Sequence, residues 1–176
     1  FCAVKLIFFV VRKMSESQVE SGFRHGQTVT ACLVALSHGT NDAQKTMGII
    51  TLTLIAVGFQ PSGTGPELWV VAICGLAIAL GTYMGGWRVI RTLGKGLTEI
   101  STPQGFAAEA ASATTILVSS HMGFALSTTQ VCSGSIIGTG LGKKGSKVNW
   151  GVAGKMLIAW IVTFPAAGIV GALACA

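Results

Sequence analysis

The chain has 176 residues, of which 51% are hydrophobic and 10% charged, with a formal net charge of +6. Soluble domains carry roughly 25% charged residues, so the composition points to a membrane protein of several spans rather than to soluble domains. The basic residues are scattered between apolar runs without interleaved aromatics, which argues against a nucleic-acid-binding surface.

The chain opens FCAVKLIFFVV, without Met and without a signal-peptide layout. Residues 1–11 are too short for a span and read as a helix cut short upstream, so 1–27 is taken as a truncated segment plus a cytoplasmic loop. Residues 28–58 are apolar at both ends and polar in the centre. A straight helix of that length runs about 46 Å at 1.5 Å per residue, beyond the ~30 Å hydrocarbon core. A tilted, broken or partly unwound helix is therefore expected there. Residues 66–86 (PELWVVAICGLAIALGTYMGG) form the clearest span, with Pro66 at its opening. Residues 103–141 hold a weakly apolar Ala/Ser-rich helix, a Ser/Thr cluster and then SIIGTGL. Residues 149–176 form the last span, with Trp150 and Trp160 available for an interface.

Charges orient these segments. Arg12, Lys13 and Arg24 precede the second, Arg88, Arg91 and Lys95 follow the third, and Lys143, Lys144 and Lys147 precede the last. The loop FQPSGTG at 59–65 carries no charge. The positive-inside rule puts 12–27, 87–102 and 142–148 in the cytoplasm and 59–65 outside. Both ends of 103–141 are then cytoplasmic, so it makes two short crossings or a re-entrant hairpin with its tip near Ser127. The expected fold is an all-α, multi-pass integral membrane bundle with a broken helix and a re-entrant hairpin. The five cysteines (Cys2, Cys32, Cys74, Cys132, Cys175) form no CxxC pair and read as small hydrophobes. No His/Cys spacing suggests zinc, and no metal or resident cofactor is expected. GTGLGKK departs from a phosphate loop, because Lys144 stands where Ser or Thr is needed.

Two polar constellations carry the chemistry. The first is SHGTNDAQKTMGII at 37–50. A charge at the bilayer centre costs at least about 2.5–3.5 kcal/mol, so Asp42 and Lys45 need partners or water. Three residues apart, they share a helix face and can pair. A structural ion pair alone does not call for Ser37, His38, Thr40, Asn41, Gln44 and Thr46 beside it; a substrate or ion site does. His38 is the better candidate for a titrating group, because it lies close to Asn41 and Asp42. The second is SSHMGFALSTTQVCSGS, with Ser127, Thr128, Thr129 and Gln130 at its heart. Hydroxyls at the start of a short helix, with backbone N–H groups aimed the same way, can hold an anion without a buried cation. Their alternative is hydrogen bonding back to helix carbonyls. Glu109, in GFAAEAASA, reads either as an interfacial helix residue or as a proton or cation carrier.

SHGTNDAQKTMGII resembles the signature of the inorganic phosphate transporter (PiT) family, with its Gly-x-Asn-Asp core, and STTQVCSGSIIGTGLG resembles that family's Ser-Thr-Thr-His loop and following glycine-rich helix. GFAAEAASA is similar to the segment before that loop. The resemblance covers the chain from about residue 20 onward and is closest to the C-terminal half of bacterial low-affinity phosphate permeases. It implies one half of an inverted-repeat transporter, with phosphate and a coupling cation bound at midplane. Asn41 and Asp42 would sit at the phosphate and cation site, and Ser127, Thr128 and Thr129 would bond the phosphate oxygens. Lys45 would add positive potential near phosphate or restrain Asp42. His38, Gln130 and Glu109 would tune coupling. Gln130 stands where the family often has His, and Ala125-Leu126 where Pro-Val is common.

The implied function is phosphate symport across the cell membrane, with proton coupling and metal–phosphate preferred and sodium open. The implied partners are the lipid bilayer, the missing N-terminal half and, in one arrangement, a second copy. The rivals are a sulfate or other oxyanion permease of the same fold, a structural membrane subunit, and a hydrolase using Ser127, His121 and Asp42. The last lacks a Gly-x-Ser-x-Gly elbow, and no enzyme activity is expected.

Overall fold

Six α-helices make up the described chain: α1 (Cys2–Val10), α2 (Glu16–Ala56), α3 (Leu68–Arg91), α4 (Thr102–His121), α5 (Thr128–Gly142) and α6 (Trp150–Cys175). The structure, a computed structural model, describes the backbone of all residues but Ala125, Lys144 and Ala176, and the side chains of all but these and Glu16, Arg88 and Cys175. Ala125 of the hairpin tip, the Arg88 and Lys144 charges used for orientation and the Cys175 thiol thus lie outside the described residues.

Of the three forms expected for the polar-centred segment, the broken and the partly unwound differ from what is seen. The segment lies in one unbroken helix of 41 residues, neither interrupted nor unwound around Asn41 and Asp42. No proline lies within it, and its glycines keep helical backbone; among the described residues positive φ is confined to Gly58, Gly63, Gly123 and Gly145. The physical reason is that the polar side chains are satisfied without opening the backbone. Ser37 Oγ donates to Leu33 O at 2.6 Å and Thr46 Oγ1 to Asp42 O at 3.2 Å. His38, Asn41, Asp42 and Lys45 reach the α4–α5 hairpin, and Thr40 and Gln44 are exposed. Residues 16–27, expected in a loop, are the polar first turns of this helix, which shortens the connection from α1 to Val11–Ser15. At 1.5 Å per residue α2 is about 60 Å long, so it must protrude from a ~30 Å hydrocarbon layer or tilt through it. It stops at Gly58 (φ +84°), where Gly58 N bonds Ile55 O at 3.1 Å and Phe59 N bonds Leu54 O at 2.9 Å. This pair of bonds is a Schellman stop.

Residues 103–141 fold as a helical hairpin. Ser101 caps α4, and Gln104 Oε1 accepts from Ser101 N at 3.0 Å, a capping box. The helix ends on a second Schellman stop at Gly123 (φ +78°), with Gly123 N on Ser120 O at 3.2 Å and Phe124 N on Ser119 O at 2.9 Å. After the tip, Ser127 caps α5 by accepting from Gln130 N. The legs are antiparallel: Gln104 Nε2, near the start of α4, donates to Thr139 O near the end of α5 at 3.3 Å. With 15 residues α5 spans about 22 Å, less than a full crossing.

Small residues let the helices close on this hairpin. α4 buries Ala107, Ala108, Ala113 and Ile116 against its neighbours. α2 and α4 exchange side chains at two glycines: Phe106 lies over Gly26, and Gln27 lies over Gly105. α1 packs on α5, where a Cβ at Gly142 would collide with Val4. Beyond α3, buried Leu97 and Thr98 pin the approach to α6: Asn149 N donates to Leu97 O at 2.8 Å, and Thr98 Oγ1 donates to Lys147 O at 3.1 Å. Among the described residues, two helices are long and apolar enough to cross a membrane, Leu68–Trp87 within α3 and Trp150–Ala174 within α6. Their large apolar side chains, such as Leu68, Met84, Phe164 and Leu173, stay exposed. Apolar faces of that extent are not stable against water; they suit lipid or further protein.

Candidate functional site

The hairpin tip docks on the middle of α2, and the two polar constellations meet there. Asn41 and Thr128 are buried, at 4% and 5% exposure, while His38, Asp42 and Lys45 are half-buried. Asn41 holds the tip. Its Nδ2 donates to the carbonyl of Leu126 at 3.1 Å, and its Oδ1 accepts from Ser120 Oγ at 3.4 Å. One amide thus bridges the last turn of α4 and the residue before the α5 cap.

Asp42 is the electrostatic centre. Lys45 Nζ lies 3.2 Å from Oδ1, His38 Nδ1 lies 3.3 Å from Oδ2, and Thr128 Oγ1 lies 3.4 Å from the same Oδ2. His38 Nδ1 and Thr128 Oγ1 are 2.9 Å apart. One hydrogen pattern satisfies all three contacts around Oδ2: the imidazole Nδ1–H faces both oxygens, and the threonine hydroxyl donates to the carboxylate. Lys45 reaches further and also donates to Leu126 O. The i,i+3 and i,i+4 spacings on α2 place His38 and Lys45 on either side of Asp42, which is why the unbroken helix suffices.

The arrangement has two chemical faces. The first turn of α5 offers unsatisfied backbone N–H groups and, at exposed Ser127 and Thr129, hydroxyls at the positive end of the helix dipole. That end suits an anion. Beneath it, Asp42, Asn41 Oδ1 and the Leu126 carbonyl present hard oxygen donors suited to a cation. Among the described residues no cluster of three or more His, Cys, Asp or Glu could hold a metal ion.

Not every candidate joins the cluster. Thr128 turns inward to Asp42, whereas Thr129 and Gln130 are exposed; Gln130 lines a groove of about 330 Å³ with Phe1, Ala107, Ala111 and Val131, between α1, α4 and α5. Glu109 accepts from Thr30 Oγ1 at 2.6 Å. Thr30 lies twelve residues before Asp42, about 18 Å along α2 at 1.5 Å per residue, so Glu109 is a separate polar station. Two participants were not singled out from the sequence, although Ser120 lies within the second constellation. Ser120 could have been found by counting back from the tip, since it ends the α4 leg. The Leu126 carbonyl is backbone, and no residue type announces it.

The profile of the Phosphate transporter family matches residues 5–171. A Mycobacterium tuberculosis protein named "Probable low-affinity inorganic phosphate transporter" is 57% identical over 95% of this chain and 40% of its own length. A Bacillus subtilis protein of the same name is 40% identical over 99% of this chain and 51% of its own. The chain therefore spans two-fifths to half the length of these relatives. A solved structure described as "The sodium-dependent phosphate transporter" superposes with a TM-score of 0.73 at 30% identity, covering 89% of this chain and 41% of that one.

Proposed function

The chain belongs to the phosphate transporter family, and from that premise we propose that it forms the C-terminal half of a cation-coupled inorganic phosphate symporter of the cell membrane. The observation that carries this reading is the docking of the α5 cap on Asn41, Asp42 and Lys45, which sets an anion-binding helix end against a carboxylate with a paired cation. Phosphate would sit at the first turn of α5, held by backbone N–H groups and by the Ser127 and Thr129 hydroxyls. Thr128 would relay its position to Asp42. Glu109 and Gln130, outside the cluster, would tune access to it.

The other half of the site would come from the remainder of the transporter, and α3 and α6 would face lipid or that remainder. The hairpin α4–α5 would enter and leave on one side, since α5 is too short to cross alone. Transport would proceed by alternating access around the docked tip. A proton is the coupling ion of the first reading, with His38 beside Asp42 as the group able to carry it and metal–phosphate as the transported species. Sodium is the second reading, favoured by the solved relative's description. Asp42 also argues for phosphate over sulfate, because phosphate at neutral pH retains a hydroxyl that an acceptor can use.

Uptake of labelled phosphate by the full-length transporter in proteoliposomes tests this reading, with proton and sodium gradients imposed separately and sulfate as competitor. Uptake driven by the proton gradient and insensitive to sulfate is expected. Sulfate uptake would keep the fold and overturn the substrate.

A further inference from the structure

Lys45 stands in an unusual place. Its ammonium bridges Asp42 Oδ1, at 3.2 Å, and the backbone carbonyl of Leu126. That carbonyl also accepts from Asn41, and Asn41 itself lies 3.5 Å from Asp42 Oδ1. The ammonium therefore occupies a position between α2 and the hairpin tip whose acceptors are a carboxylate oxygen and a peptide oxygen. These are the hard oxygen donors that a small cation prefers. A lysine whose only task was to pair Asp42 could do so within α2, three residues away; reaching on to the tip carbonyl is a second function.

We propose that Lys45 is a built-in counter-cation: its ammonium fills a cation position between Asp42 and the Leu126 carbonyl that a diffusible monovalent cation would otherwise fill, and so sets the cation requirement of transport. The proposal rests on the phosphate-symport reading of this site. A tethered ammonium supplies its charge at every stage of the cycle and never dissociates. Charge compensation for the anion at this position is then independent of external sodium, which leaves the neighbouring His38, also on Asp42, as the group through which a proton can enter the balance. Removing the ammonium while keeping the side-chain length leaves Asp42 Oδ1 and Leu126 O as a vacant oxygen pair, open to sodium from solution.

Two measurements on the full-length transporter test this. The first is phosphate uptake in proteoliposomes at fixed pH, with sodium replaced by choline at constant ionic strength, for the wild type, Lys45→Met and Lys45→Arg. Wild type and Lys45→Arg should be indifferent to sodium. Lys45→Met should lose uptake in choline and recover at least about tenfold on adding sodium, the equivalent of ~1.4 kcal/mol. The second measures thermal stability in sodium against choline, which reads the cation position without transport. Sodium should raise the melting temperature of Lys45→Met and leave wild type unchanged. If wild type carries no phosphate, the symport reading falls while the stability comparison still decides the role of Lys45. A Lys45→Met protein that is assembled but gains neither stability nor uptake from sodium would overturn the proposal, as would a wild type that already requires sodium.

Discussion

At the scale of single residues, Asn41 and Thr128 do unlike work. Asn41 is a mechanical tie, because its amide is buried and bridges Ser120 and the Leu126 carbonyl. Asn41→Ala should loosen the tip, removing the bond to Ser120 and one of the two donors to the Leu126 carbonyl, which keeps Lys45, at a cost of about 1–3 kcal/mol. The check is faster hydrogen exchange across residues 122–128 together with a lower melting temperature. Thr128 is an electrostatic tie, since its hydroxyl serves Asp42 and stands 2.9 Å from His38. Thr128→Val keeps the shape and removes the hydroxyl. It should lower uptake about tenfold, or ~1.4 kcal/mol, with less effect on melting than Asn41→Ala. Much of this site was legible in the sequence, because Asn, Asp and Lys in an apolar run require an explanation in lipid terms. What was not legible is which hydroxyl faces which partner. The run Ser127-Thr128-Thr129-Gln130 turns about 100° per residue once helical, so only one of its four side chains can face Asp42 squarely, and the identity of that one depends on how the tip docks.

At the scale of elements, glycine placement decides the hairpin. Gly123 sits at φ +78° as the stop of α4, where a side chain meets the strain of left-handed backbone. Gly123→Ala should cost about 1–2 kcal/mol, visible as a lower melting temperature with the helix content retained. Gly142 lies under Val4, and Gly142→Val should dislodge α1 from α5; Val4→Ala on the same background should recover part of the loss. The spans α3 and α6 could be read from length and hydropathy alone, whereas the hairpin within 103–141 was one of two forms suggested by the basic residues flanking it. The continuity of α2 could not be read that way. Its polar middle looked like a reason to unwind, but side chains on α4 and α5, some 80 to 90 residues further along, satisfy those groups. Contacts at that separation leave no local pattern in sequence. The same limit kept Glu109 from being separated from the site, since its partner Thr30 lies 79 residues away.

At the scale of the molecule, the outward apolar faces of α3 and α6 and the partial length relative to the family point the same way. One cap and one Asn-Asp pair make an open, half-exposed site: His38 and Asp42 keep 40% and 35% of their side-chain surface accessible. Residues 1–176 alone, reconstituted in vesicles, should insert and remain helical by circular dichroism yet take up no phosphate, and co-expression with the remainder of the transporter should restore uptake. The central claim is that Asp42 organises the anion and cation sides of this site. Its most direct test is phosphate uptake by full-length Asp42→Asn, an isosteric change that keeps hydrogen bonding and removes the charge, in protein whose assembly is verified by size-exclusion and melting. Uptake reduced at least about a hundredfold, some 2.7 kcal/mol, is the expected result. Uptake within about twofold of wild type would contradict it and would leave the cluster around α2 and the α5 cap as a structural joint.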